Sequence, residues 1–175
     1  GLSYLQTTPP HADVLTFCLA SVLDESRALE WLATATTRFV YHFGEQNGQW
    51  AQRPAGACAI QRETHVAKLA TAPTRLQVAL ECSDGSGAAL MQKVQAEPDP
   101  QTGASRWVVN GRTVLNNKGK PVRQYEPAFS PTFGCERPGD NGVSTTLFYD
   151  AAGRVVRTEM PDGTLSRVEF SPWFS

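Results

Sequence analysis

Histidines near carboxylates are the first residues in this sequence that could do chemistry. The three histidines are His11, His42 and His65, and His65 stands two positions after Glu63 in a strand-like run. Side chains two apart on a strand share a face, so Glu63 could orient the His65 ring as a general base. A surface pair on a sheet accounts for the same spacing without catalysis, and no G-x-S-x-G nucleophile motif is present. We therefore predict no catalytic residue and no enzyme activity.

Loops rich in glycine and aspartate could hold a phosphate group or a calcium ion. The stretch 84–87 (Asp-Gly-Ser-Gly) lacks the Lys-Ser/Thr ending and the following helix of a phosphate-binding loop. Asp99, Asp150 and Asp162 lie in stretches that do not place oxygen ligands at alternate positions, as calcium loops do. These patterns favour ordinary turns, and the sequence predicts no cofactor and no metal.

The cysteines carry the remaining reactive groups. Cys18, Cys58, Cys82 and Cys135 lie far apart and form no C-x-x-C pair. A zinc site needs clustered ligands with short loops between them, so none is predicted. A disulfide is geometrically possible, but the spacing selects no pair. We favour the interpretation that all four are small buried hydrophobic side chains.

Length and charge limit the classes of protein to which this chain can belong. The 175 residues suit one ordinary domain or a fragment, and a start at Gly1 favours a fragment. The formal net charge is -1, from 16 basic and 17 acidic residues without a run of like sign. That balance argues against a broad surface for nucleic acid or anionic membrane. The longest apolar stretch, 14–23, is shorter than the roughly 20 residues that span a bilayer.

The hydrophobic pattern predicts a mainly β protein with one short N-terminal helix. Asp24 is a good N-cap for a helix over 25–35, whereas 14–23 could be a buried strand or the start of a helix. Residues 37–43 alternate as a strand does, and 58–66 supply its return strand. We expect a lead-in over 1–36 and a segment of repeated antiparallel β-hairpins over 37–175.

Three similar turns recur along that segment, each between two strand-like runs. Each turn begins with Asp or Asn and has Gly three residues later, and the first residues are 32 and then 34 positions apart. Asp or Asn at the first position bonds its own backbone, and Gly takes the left-handed conformation that closes the hairpin with a bulge. A period of this length is typical of a repeat architecture. The predicted turn residues are Asp84 and Gly87, Asn116 and Gly119, and Asp150 and Gly153.

The third copy resembles a known repeat. Residues 148–155 have the Y-D-x-x-G-R form of YD/Rhs repeats. The wider sequence resembles successive stretches of the B component of bacterial insecticidal toxin complexes (Tc) and of SpvB-like virulence proteins. The stretches that carry this resemblance are 62–66, 92–98, 106–108, 116–127 and 168–173.

The resemblance implies a structural role and a set of partners. In Tc toxins the B and C components form a hollow β-shell around a toxic C-terminal cargo, and B docks this shell on a translocating A component. The chain is similar to the later, shell-forming part of B, not to the propeller that contacts A. The implied partners are the rest of the shell and a C component, with A reached only through other regions. The resemblance also implies secretion, and no nucleic-acid or membrane contact.

A binding module is the competing interpretation. Aromatic and arginine side chains recur in the predicted strands and could recognise a carbohydrate or a protein, as part of a large secreted Rhs-type surface protein. Cross-strand packing of the aromatic residues accounts for the same pattern. Pairing with neighbouring carboxylates, or a position on a polar inner wall, accounts for the recurrence of the arginines.

Overall fold

The computed structural model of the chain describes residues 8–45, 48–49, 53–64, 68, 74–84, 87–136 and 142–171. Among these residues, a pair of helices precedes the strands. The helices are α1 (His11–Leu19) and α2 (Glu25–Leu32). The strands are β1 (Thr37–His42), β2 (Ala55–Arg62), β3 (Leu76–Ser83), β4 (Ala89–Gln95), β5 (Trp107–Asn110), β6 (Thr113–Leu115), β7 (Pro121–Tyr125), β8 (Ala128–Ser130), β9 (Ser144–Tyr149), β10 (Val155–Glu159) and β11 (Leu165–Arg167).

The strands form two antiparallel sheets, which confirms the mainly β class. The six-stranded sheet has the order β1-β2-β3-β4-β5-β8, and the five-stranded sheet has the order β11-β10-β9-β7-β6. The hairpins are divided between these two sheets. The chain leaves the first sheet after β5 at Gly111, which has a φ of 67°, and returns to it only for β8.

Two helices, rather than the single predicted one, cover the six-stranded sheet. The ambiguous stretch 14–23 contributes to α1, because Val14, Phe17 and Cys18 recur at helical spacing and all three are buried. The predicted helix is confirmed as α2, and the Asp24 side chain accepts a hydrogen bond from the Arg27 backbone at 3.0 Å.

Helix α2 ends at Leu32, three residues earlier than predicted. Ala33 adopts a φ of 47°, which breaks the helix. The buried guanidinium of Arg62 donates hydrogen bonds to the carbonyls of Ala33 and Ala35, so the sheet satisfies the free carbonyls past the helix end. This contact fixes the angle at which the chain enters β1.

The core lies between the two helices and one face of the six-stranded sheet. Phe133 packs there with its ring centroid 5.4 Å from that of Phe17 and 4.9 Å from that of Trp107. In contrast, no described residue in the strands of the five-stranded sheet is buried. The helices, which precede residue 36, thus share one core with strands that follow it. The division into a lead-in over 1–36 and a hairpin segment over 37–175 stays a prediction.

One disulfide crosses this core. It joins Cys82 to Cys135, whose Cα atoms are 6.2 Å apart, while Cys18 and Cys58 are buried free thiols. The interpretation of all four cysteines as simple buried hydrophobic residues is therefore wrong for this pair. The spacing could not select it, because the partners are 53 positions apart and meet only through the fold.

Candidate functional surface

The three predicted turns share one hydrogen-bonding pattern. In each, the first residue donates its backbone N–H to the carbonyl four positions on, at 2.9, 2.8 and 2.9 Å for Asp84, Asn116 and Asp150. The side-chain Oδ1 of each accepts in return from the backbone N–H four positions on, at 2.9, 3.0 and 2.8 Å. The glycines three positions on, Gly87, Gly119 and Gly153, have φ values of 85°, 72° and 81°.

Each turn sits beside a shift in strand register. The shifts lie at Cys82/Ser83 in β3, at Val114/Leu115 in β6 and between Val155 and Arg157 in β10. A bulge beside the turn strengthens the local twist of a hairpin. The first hairpin belongs to the six-stranded sheet and the other two to the five-stranded sheet, so the repeat is local in geometry and does not build one sheet.

We expect the Asn116→Ala protein to lose about 1–2 kcal/mol of unfolding free energy. The Asn116 side chain accepts from the backbone N–H groups of Lys118 and Lys120, at 2.9 and 3.0 Å, and alanine cannot replace either bond. Urea unfolding measures the difference. Asn117→Ala, at the exposed next position, is the matched control and should stay within about 0.5 kcal/mol of the parent. Equal losses in the two variants would contradict the assigned role of Asn116.

Cations lie over aromatic rings across and beside the five-stranded sheet. The guanidinium carbon of Arg112 is 4.0 Å from the ring centroid of Tyr125, and that of Arg157 is 5.0 Å from the centroid of Phe148. Lys120 connects two turns, because its Nζ lies 5.5 Å from the Tyr149 ring centroid and donates to the Gly153 carbonyl at 2.7 Å. Such contacts stabilise exposed sites by about 0.5–1 kcal/mol each.

An open groove of about 740 Å³ runs along the five-stranded sheet near its last strand. Arg154 lies over the Phe170 ring at 4.3 Å from its centroid and donates to Asp150 at 2.8 Å. The hydrogen bond from the Arg154 backbone lowers the pKa of Asp150, and its guanidinium acts in the same direction. Arg157 and Arg167 also line the groove, so cations and aromatic faces are exposed together there.

Two of the three histidines lie within the described residues, one on α1 and one on β1. His11 accepts from the Phe43 backbone at 3.2 Å, and His42 is buried in the core. His65 lies outside the described residues, so the predicted pair with Glu63 is not placed. Glu63 accepts from the Gln77 side chain at 2.6 Å.

A buried lysine is a feature that the sequence did not lead us to expect. Lys93 on β4 is fully buried, and its Nζ donates to Glu136 at 2.6 Å and to the Thr132 carbonyl at 2.8 Å. The Ser130 and Thr132 hydroxyls, each at 3.3 Å, complete its surroundings. The alternation of side chains along the strand could have indicated this burial. Lys93 is two positions after the buried Met91, so both side chains share the core face of β4.

Neither a metal-binding cluster nor a membrane-spanning helix is found in the described ranges. No group of three or more histidine, cysteine, aspartate or glutamate side chains there could hold a metal ion. None of the helices that the structure describes has the length and apolar character needed to cross a bilayer.

Comparison with known proteins gives a similarity of fold. No protein-family profile matches the chain, and no curated protein matches it. The crystal structure of TcdB2-TccC3 matches with a TM-score of 0.67 and 20% identity, over 98% of this chain and 8% of that one. The TcdB2-TccC3-Cdc42 crystal structure matches with a TM-score of 0.58 and 23% identity, over 73% and 7%.

A Tc holotoxin pore of Photorhabdus luminescens that carries a substitution in TccC3 also matches. Its TM-score is 0.57 at 23% identity, over 72% of this chain and 6% of that one. The chain thus spans less than a tenth of the length of each of these matched chains. The two antiparallel sheets and two helices of the described residues have the fold of a segment of Tc toxin structures.

Proposed function

We propose that this chain is a structural segment of a bacterial toxin-complex β-shell that encapsulates a toxic C-terminal cargo for delivery. The observation that carries the proposal is the fold similarity to TcdB2-TccC3 over 98% of the chain, at a TM-score of 0.67. The YD/Rhs character of the turn at Asp150 and Gly153 adds a second, sequence-based argument.

The five-stranded sheet supports a role as a wall. A sheet in a free-standing domain buries one or both faces against another layer. Here the described residues of β6, β7, β9, β10 and β11 are all half-buried or exposed. A shell wall has this property, because one face meets the lumen and the other meets the exterior.

An aromatic stripe along β1 and the residue that follows it supports contact with further shell, since β1 is an edge of the six-stranded sheet among the described residues. Phe39, Tyr41 and Phe43 are 58%, 53% and 63% exposed and alternate with Val40 and His42, which are buried. The Phe39 and Tyr41 rings stack with centroids 6.5 Å apart. Exposed apolar patches of this kind mark interaction surfaces, and an unpaired edge strand can accept a neighbouring strand. We propose that the rest of the shell covers this stripe.

The proposal extends to partners, location and activity. The partners are the remaining shell of the same protein and a toxin-complex C component, and the protein is secreted. The Cys82–Cys135 disulfide agrees with an oxidising compartment. The segment has no catalytic role in this proposal. Hydrolysis of a substrate by the folded protein, lost in His65→Ala, would contradict the absence of catalysis.

Protection of the cargo tests the shell. The longer protein that contains this segment, assembled with its cargo, should shield the cargo from added protease. We expect Phe39→Ser/Tyr41→Ser/Phe43→Ser to raise the cleavage rate of the cargo on the order of ten-fold, because the loss of the stripe favours local opening. Time-resolved proteolysis with mass detection measures the rate.

The control for this experiment is Val22→Ser, which changes a 75% exposed apolar residue in the connection between the helices. It should leave protection unchanged. A parent protein whose cargo is cleaved as fast as free cargo would overturn the proposed function.

The groove on the five-stranded sheet favours a second candidate, a carbohydrate- or protein-binding module. Its arginines and exposed rings, Arg154, Arg157, Phe148 and Phe170, offer cation and stacking contacts. Saturable binding of the parent protein on a glycan array, lost in Arg157→Ala while the cargo stays protected, would favour this candidate. A parent protein that binds no glycan, with an Arg157→Ala variant that no longer protects the cargo, would favour the shell.

A further inference from the structure

The four cysteines, distant in sequence, meet at one place in the core. The Cys18 carbonyl on α1 accepts a hydrogen bond from the Cys135 backbone at 3.3 Å, and Cys135 is bonded to Cys82. On the other side, Cys82 pairs with Gly56 across β2 and β3, and Cys58 is two residues further along β2. Cys58 and Cys82 therefore share a buried face as diagonal neighbours.

The two free thiols of this cluster are neighbours in the core. Cys18 and Cys58 are both fully buried, and α1, which carries Cys18, packs against β2, which carries Cys58. A hydrogen bond from Cys58 lowers the pKa of Cys18 to about 6, although burial acts in the opposite direction, and nearby His42 adds to the lowering. The same bond and burial raise the pKa of Cys58. In the folded core the Cys18 thiol therefore gives up its proton more readily than the Cys58 thiol.

We propose that Cys18 and Cys58 are a second cross-linking site, which closes to a disulfide when the protein folds in an oxidising compartment. The Cys82–Cys135 bond is the reason to expect oxidation, because a structural disulfide of this kind forms in such compartments. The second bond would fasten α1 to β2. It would tie together residues 40 positions apart, in a loop separate from that of the first disulfide.

The chemistry requires a small-molecule disulfide, such as oxidised glutathione, as the oxidant. The Cys18 thiolate attacks one sulfur of that disulfide, a mixed disulfide forms, and one thiolate leaves. The Cys58 thiolate then attacks Cys18 Sγ and expels the second thiolate. Two electrons pass to the oxidant, and the two protons of the cysteines end on its two thiols. Because both cysteines are buried in the finished fold, the reaction belongs to folding, before α1 seals the site.

A metal site is the competing use of the same residues, and the geometry disfavours it. A tetrahedral site would need a fourth ligand beside Cys18, Cys58 and His42. Cys82 and Cys135 are bonded to each other, and the described residues contain no group suited to a metal ion. His42 Nδ1 already accepts from the Gly44 backbone at 3.4 Å.

Peptide mapping of the refolded protein tests the proposal without any substitution. Trypsin, which does not cut before proline, places the four cysteines on separate peptides, 1–27, 39–62, 76–93 and 124–154. The protein is refolded in a glutathione redox buffer and alkylated in denaturant. If Cys18 and Cys58 stayed free, two cysteines per chain would be alkylated, whereas we expect none. Mass spectrometry should then find peptide 1–27 joined to peptide 39–62.

Single variants test the roles of the two thiols. In Cys58→Ser a glutathione adduct should accumulate on Cys18, and in Cys18→Ser one should accumulate on Cys58, because neither mixed disulfide has a second thiol to resolve it. Two alkylated cysteines at 18 and 58 after oxidative refolding would overturn the proposal. So would peptide 1–27 joined to another partner, or a zinc ion bound stoichiometrically and lost in both variants.

Discussion

Reduction of the Cys82–Cys135 disulfide is expected to lower the free energy of unfolding by about 2–4 kcal/mol. The bond closes a loop between residues 53 positions apart, so its removal frees a large stretch of the unfolded chain. It also holds the segment that secures α1, since Phe133 and Gly134 donate to the carbonyls of Ser21 and Ala20, both at 2.8 Å. Urea unfolding with and without reductant measures the loss.

The control for this prediction separates the two cysteine pairs. Cys18→Ser/Cys58→Ser retains the Cys82–Cys135 bond and should show the full loss on reduction. Cys82→Ala/Cys135→Ala, kept in reductant, should resemble the reduced parent, because neither protein then has the cross-link. A urea midpoint unchanged by reductant in Cys18→Ser/Cys58→Ser would contradict a stabilising role for the bond.

Substitution of Glu136 is expected to cost more stability than substitution of the lysine that it neutralises. Glu136→Gln leaves the fully buried Lys93 ammonium without its counter-charge, at a cost of about 3 kcal/mol. Lys93→Met leaves Glu136, which is 41% exposed and can turn to water, so we expect a loss below about 1.5 kcal/mol. Urea unfolding of both variants at neutral pH gives the two values. A larger loss in Lys93→Met would contradict the asymmetry.

The same pair makes stability depend on pH. Burial raises the pKa of Glu136, but the hydrogen bonds from Lys93, Ser130 and Thr132 outweigh it and lower the pKa below 4.5. A carboxylate whose folded pKa is depressed contributes stability above its unfolded pKa and loses it as the pH falls through the folded value. The parent should therefore lose stability below pH 4.5. Glu136→Gln should lack this component of the acid-side loss.

The turns were predictable because their causes are local. The contacts that define the turn at Asn116 lie within five residues, and the left-handed glycine at Gly119 follows from sterics alone. The N-cap at Asp24 was predictable for the same reason, since its partner Arg27 is three residues away. The end of α2 was not, because Arg62, nearly 30 residues later, provides its capping contacts.

Neighbours along the chain account for the mainly β character, for the local hydrogen bonds of the hairpin turns and for the helix that follows Asp24. Long-range packing sets the division into two sheets, the helical state of α1, the pairing of Cys82 with Cys135 and the burial of Lys93. These depend on strand register and on which side chains meet across 37 to 53 positions. The sequence of a short apolar run, or the position of a single lysine, does not identify the residues that pack against it in the fold.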